Sequence, residues 1–372
     1  MRNFIILIFL FIICGCNKFS NSDHFAPIKN HPKDIFIKTL ELEELELESI
    51  ESSYVGKLFI KDDFIGFIDR KFTWVFLFDK DGRMITRHLG HGGGPNEIPS
   101  RIDGYTVLDD SSNFFVGPVN DCYIFDVQFQ NKKSFVINKT NYNNEAKDFE
   151  KPWIYTLCYD NLVLKNFSEY LYYNVVLEHP RYNFFISHIS FFRNAHIISK
   201  LNLVSGEVEK VLGNYPDIYA KDKSLRQISL INFDIDSKGV FYVSYEADSL
   251  IYTFDKNFSP IMSFGYKGRE MINKNDVLSI MSFRKNYRRS RSERGYYNGI
   301  DYIEETDILF RTYQKGSDTG SGLQIYKQSI LIGDVDVPNG FKILGYIYPY
   351  YYASCGIDED NEKILLYKFK SF

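Results

Sequence analysis

An apolar run ending in Phe-Asp recurs along this chain, and each copy opens a polar turn into a second apolar run. Phe78-Asp79 stands in W-V-F-L-F-D-K-D-G, Phe125-Asp126 in C-Y-I-F-D-V-Q-F, and Phe254-Asp255 in S-L-I-Y-T-F-D-K-N-F-S-P-I-M-S-F-G. Leu201 to Gly213 is a fainter fourth copy. Asp and Gly supply the local bonding and backbone freedom of a tight turn, so each copy reads as a hairpin. Each full copy also carries an upstream strand pair, such as L-F-I-K-D-D-F-I-G-F-I-D before the first. Two hairpins make a four-stranded unit, and unbroken apolar runs such as Val240 to Val243 suit strands covered on both faces. Phe78 and Phe125 are 47 residues apart. The 129 residues from Phe125 to Phe254 would hold about three units of the roughly 40 to 45 residues in a propeller blade.

The fullest copy runs from Val75 to Ile98 and ends in G-H-G-G-G-P-N-E. Together with the F-D-x-x-G turn and an N-terminal lipoprotein signal, this corner resembles the six-bladed β-propeller lipoproteins of Bacteroidota, relatives of the NHL-repeat propellers. Gly90, Gly92, Gly94, Pro95 and Glu97 match that family's G-x-G-x-G-P-G-E, and Asn96 replaces its last glycine. The resemblance implies an all-β fold, a six-bladed β-propeller of four-stranded antiparallel blades, and it brings no catalytic motif. Closure by the N- and C-terminal strands is expected, because a ring removes exposed sheet edges. The alternating stretch Asp34 to Glu48 is the candidate N-terminal strand, although Glu41 to Glu48 could also make a short acidic helix. Blades are expected at about 56–97, 102–138, two within 152–213, one at 229–265 and the last at 302–369.

Residues 1–15 read as a lipoprotein signal: Arg2, ten apolar residues from Phe4 to Ile13, and Gly15 before Cys16. Cleavage would expose Cys16 for acylation, palmitate included. Residues 16–33 form a polar tether, 34–372 the propeller, and 267–299 an inter-blade insertion. Ten apolar residues are too few to span a bilayer, so the expected contact with the membrane is the lipid anchor. The expected location is the cell envelope, as an outer-membrane lipoprotein. Removing Arg2 with the signal leaves 43 basic residues against 48 acidic ones. A mildly acidic surface argues against a nucleic-acid partner.

The glycine corner lacks the Gly-Lys-Ser/Thr ending of a phosphate loop. It reads as an architectural corner that uses glycine's freedom at positive φ, with Glu97 bonding backbone. His88 and His91 have no third ligand at metal spacing, and no catalytic, cofactor or metal set stands out. Cys122 and Cys158 read as small buried side chains. The segment Arg284 to Arg294, R-K-N-Y-R-R-S-R-S-E-R, departs most from the acidic whole. Its sharper reading is an anion- or glycan-binding rim of Arg284, Arg288, Arg289 and Arg291, with Tyr296 and Tyr297 stacking beside it. Its plainer reading is a solvated loop. The functional class expected is a binding or scaffolding module, for glycan or nutrient capture or an envelope protein partner. The alternative is a polysaccharide lyase or glycoside hydrolase with its site at the channel mouth.

Overall fold

The Phe-Asp signature is a turn built on one carboxylate. Asp79 Oδ1 accepts from the Asp81 and Arg83 N–H groups, each at 2.9 Å. Asp126 Oδ1 does the same for Gln128 and Gln130, and Asp255 Oδ1 for Asn257 and Ser259. Asp236, which lacks the preceding Phe, binds Lys238 and Val240 identically. The third residue after each Asp is left-handed: Gly82, Phe129, Phe258 and Gly239 have φ of 83°, 58°, 63° and 80°. A side-chain oxygen thus replaces the carbonyl that a regular ladder would offer these N–H groups. The preceding Phe78 and Phe125 are fully buried, each worth about 2 to 3 kcal/mol.

This is a computed structural model that describes residues 26–27, 40–137, 149–179, 181–183, 185–272, 287–289, 291–317 and 319–370. The hairpins assemble into a six-bladed β-propeller of antiparallel blades. Blade I is Gly56–Lys61, Phe64–Asp69, Val75–Phe78 and Met84–His88; blade II is Gly104–Val107, Asn113–Val116, Asp121–Phe125 and Asn131–Val136. In blade III both Leu164–Phe167 and Tyr155–Leu157 pair with Tyr170–Leu177, followed by Ile198–Asn202 and Val208–Leu212. Blade IV is Ile231–Ile235, Phe241–Tyr245, Ile251–Phe254 and Pro260–Phe264. Blade V is Tyr296–Ile303, Ile308–Gln314, Ser321–Lys327 and Ile330–Val337. Blade VI is Lys342–Ile347, Tyr350–Ser354 and Leu365–Lys370, with Glu43–Glu46 as its outer strand. Strands from opposite parts of the chain therefore share one blade. Middle strands such as Asn113–Val116 and Ile251–Phe254 are buried at every position, as sheets covered on both faces require.

The blade boundaries differ from the sequence expectation in two places. The region 152–213 holds one blade rather than two, and 296–370 holds two rather than one. The long interval before Phe254 is taken up partly by helices, His188–Asn194 and Asp217–Lys221, which pack through Phe192 stacked on Tyr219 at 5.4 Å. Blades V and VI lack the Asp turn. In blade V, Gln328 and Ser329, both left-handed at φ 49° and 66°, close a two-residue hairpin instead. Tyr296 to Gly299, expected in the insertion, begins the first strand of blade V. Ala26–Pro27, within the expected tether, lies parallel to the outer strand of blade IV.

The glycine corner does not use the positive φ expected of it. None of its glycines is left-handed; Leu89, with φ 61°, makes the turn. Glu97 Oε2 accepts from the Gly94 N–H at 2.7 Å. A Cβ on Gly92 would sit 2.1 Å from that same oxygen. A side chain at Gly92 would displace the carboxylate folded over it.

Candidate functional site

The described residues of the arginine-rich segment divide between surface and interior. Cys16 and Arg284 lie outside the described residues. Arg288 and Arg289 are exposed, and Arg289 pairs with Glu293 at 2.8 Å. Arg291 turns inward. It forms a two-pronged ion pair with Glu246, whose side chain is 2% exposed, and donates to the Gln227 carbonyl at 2.6 Å. Its guanidinium lies 4.4 Å from the Tyr296 ring centre. Arg294 is buried and donates to the Ser224 carbonyl at 2.8 Å. Tyr297 is 2% exposed, and its ring lies 3.3 Å under the Arg311 guanidinium. Its hydroxyl donates to the Tyr266 carbonyl and accepts from the Gly268 N–H. Arg291 and Arg294 thus clasp the helical segment 217–228 to blades IV and V, and Tyr297 is core.

The convergent polar chemistry lies on the propeller axis. The first strand of every blade has one edge without a strand partner, and these edges face one another around a channel of about 420 Å³. Lys57, Lys165, Asn232, Asn298, Asp301 and Lys342 line it. Where the strands enter, the channel opens into a mouth of about 560 Å³ that shares Lys57 and Lys342 and adds Arg70, Asp103, Tyr159 and Cys355. Arg70 pairs with the buried Asp103 carboxylate and donates from Nε to the Ile102 carbonyl at 2.9 Å. Lys57 Nζ donates to the Asp103 carbonyl at 3.0 Å. Lys57 is exposed to the channel yet ringed by its walls. That enclosure, with Arg70 and Lys342 adding and Asp103 opposing, lowers its pKa to about 8. Deeper, Lys165 pairs with Asp234 at 2.7 Å. Burial pushes Asp301 up to about 7, against the pull of Lys165.

Sequence reasoning missed all of these groups. The available signal is a charged or amide residue near the start of a blade's first strand, as in G-K-L-F-I-K, L-V-L-K-N-F and F-K-I-L-G. Reading it needs the blade boundaries first. Cys122, Cys158 and Cys355 are free thiols, and burial pushes Cys355 up to about 11. His88 stacks on Phe129 at 4.4 Å. No group of three His, Cys, Asp or Glu side chains that could hold a metal ion occurs among the described residues.

Fold and channel together define a six-bladed β-propeller with a charged axial cavity. Among solved structures it is similar to a member of the DUF4221 family from Bacteroides vulgatus, at 14% identity and a TM-score of 0.66, covering 89% of this chain and 98% of that one. It is also similar to a Bacteroides fragilis protein described as exported, at 13% identity and a TM-score of 0.50, covering 93% and 99%. Likeness at this identity shows the shared fold. No protein-family model and no curated protein matches the sequence.

Proposed function

We propose that the protein is an exported, lipid-anchored β-propeller of the cell envelope that binds a ligand at the mouth of its axial channel. The observation that carries this reading is the meeting of Lys57, Arg70, Asp103 and Lys342, from three blades, in one cavity continuous with the channel. Concave sites with a few convergent polar groups are where ligands bind. Placement in the envelope, as an outer-membrane lipoprotein anchored at Cys16, is supported by the signal and by the neighbour described as exported. Among the described residues no helix is long and apolar enough to cross a membrane. The test is a thermal-shift screen of glycans and small anions against wild type and Lys57→Trp, which plugs the mouth. Ligands should stabilise only the wild type; stabilisation that persists in Lys57→Trp places binding elsewhere. Recovery of Cys16→Ala in the membrane pellet would overturn the anchor.

The alternative, a polysaccharide lyase, is favoured by one observation: a lysine of lowered pKa beside two further cations. Neutral Lys57 would take the proton from the carbon bearing a uronate's carboxylate while Arg70 and Lys342 neutralise that carboxylate. The bond from the next carbon to the glycosidic oxygen then breaks, leaving a C=C, and the oxygen takes a proton from solvent. Ultraviolet absorbance of that product on incubation with uronate polymers tests it, and no absorbance rise rejects it.

A further inference from the structure

Two amide groups in the channel have unused hydrogen-bonding capacity. Asn232 is 6% exposed, and its Oδ1 accepts from Asn161 Nδ2 at 3.1 Å. That bond fixes the amide's orientation, and its Nδ2 has no hydrogen-bond partner among the described residues. Asn298 Oδ1 likewise has none. A buried donor and a buried acceptor left unpaired are unusual in native proteins. A hydroxyl can accept from Asn232 Nδ2 and, whichever way the Asn298 amide is turned, donate to it or accept from it.

The charges in the same cavity add a second requirement. Lys57 and Lys342 form no ion pair with a described carboxylate, whereas Lys165 is occupied by Asp234. Asp301 faces Lys165 of blade III, Asp234 of blade IV and Lys342 of blade VI. Burial disfavours its ionised form, so it offsets the two free ammoniums only in part. The channel therefore presents uncompensated positive charge beside hydroxyl-seeking amides.

We propose that the channel binds a small hydroxylated carboxylic acid as its anion, with the carboxylate held by Lys57 and Lys342 and a hydroxyl bridging Asn232 Nδ2 and the Asn298 amide. The inference rests on the mouth as the entrance and narrows the ligand. A cavity of about 420 Å³ suits a single sugar acid rather than a polymer.

Isothermal titration of the purified protein with gluconate, glucuronate, glucose and propionate tests the proposal. Gluconate and glucuronate should bind at least about tenfold more tightly than glucose, which lacks the charge, or propionate, which lacks the hydroxyls. Lys342→Met, at an exposed position, should weaken gluconate about ten- to hundredfold with an unchanged melting temperature. Asn298→Ala should narrow the gap between gluconate and propionate. Failure of both acids to bind, equal affinity for glucose, or an unaffected Lys342→Met each overturns the proposal. A neutral oligosaccharide that binds wild type but not Lys57→Trp would keep the mouth as a binding site and sink this inference. Acid binding that survives Lys57→Trp would sink both.

Discussion

Enclosure by the channel walls makes Lys57 chemically unlike the chain's surface lysines. With a pKa of about 8, about half of it is the neutral, nucleophilic amine at pH 8. Brief treatment with acetic anhydride at that pH should acetylate Lys57 ahead of Lys80 and Lys238, as read by peptide mass spectrometry. Uniform labelling would show that the walls do not depress it. Asp301 shifts the other way, to about 7, above the roughly 3.9 of an unfolded aspartate. Between those values the folded state holds a proton that the unfolded state releases, so this residue's contribution to stability falls as pH rises from about 4 to about 7. Asp301→Asn should flatten that part of the melting-temperature profile and raise stability at pH 8. A slope identical to wild type would assign the titration to other groups. Neither residue stands out in the sequence, because each lies in an ordinary apolar strand and gains its environment from blades distant in the chain.

At the scale of elements, the arginine-rich segment works as a clasp. Arg291 compensates a Glu246 carboxylate that is almost wholly buried and that also accepts from the Leu230 N–H. Removing one partner of such a pair leaves an unpaired buried charge. Arg291→Ala should therefore destabilise the fold by about 3 to 5 kcal/mol in chemical denaturation, and the double variant Arg291→Met, Glu246→Leu should recover most of the loss. A loss below about 1 kcal/mol would make the segment the solvated loop its composition suggested. Composition marked the stretch as unusual but could not tell Arg291, folded inward, from the exposed Arg288 and Arg289. The Phe-Asp turns were legible because their bonds join residues two to four apart. Blades V and VI were not divided correctly, since a two-residue left-handed turn such as Gln328-Ser329 leaves no comparable mark.

For the whole molecule, blade VI pairs strands from opposite parts of the chain. Glu43–Glu46 covers the edge of Leu365–Lys370, and Leu47 beside it is 4% exposed. A chain shortened to begin at Ile50 should expose that edge, melt lower and form oligomers on size exclusion. A monomer with wild-type melting would show that the other three strands of blade VI suffice. The sequence alone determined the hairpin repeat, the four-stranded unit and the all-β class, because turn chemistry and strand periodicity act over a few residues. It also marked the signal-like N-terminus. Tertiary structure alone decided which 3-10 and α-helical segments fill the long interval between Phe125 and Phe254, which arginines are buried, and that Lys57, Lys165, Asn232, Asn298, Asp301 and Lys342 share one channel. Those six residues come from five blades, and only closure of the ring brings their strand edges together. Burial and mutual charge then act on groups that the chain keeps up to 285 residues apart, from Lys57 to Lys342.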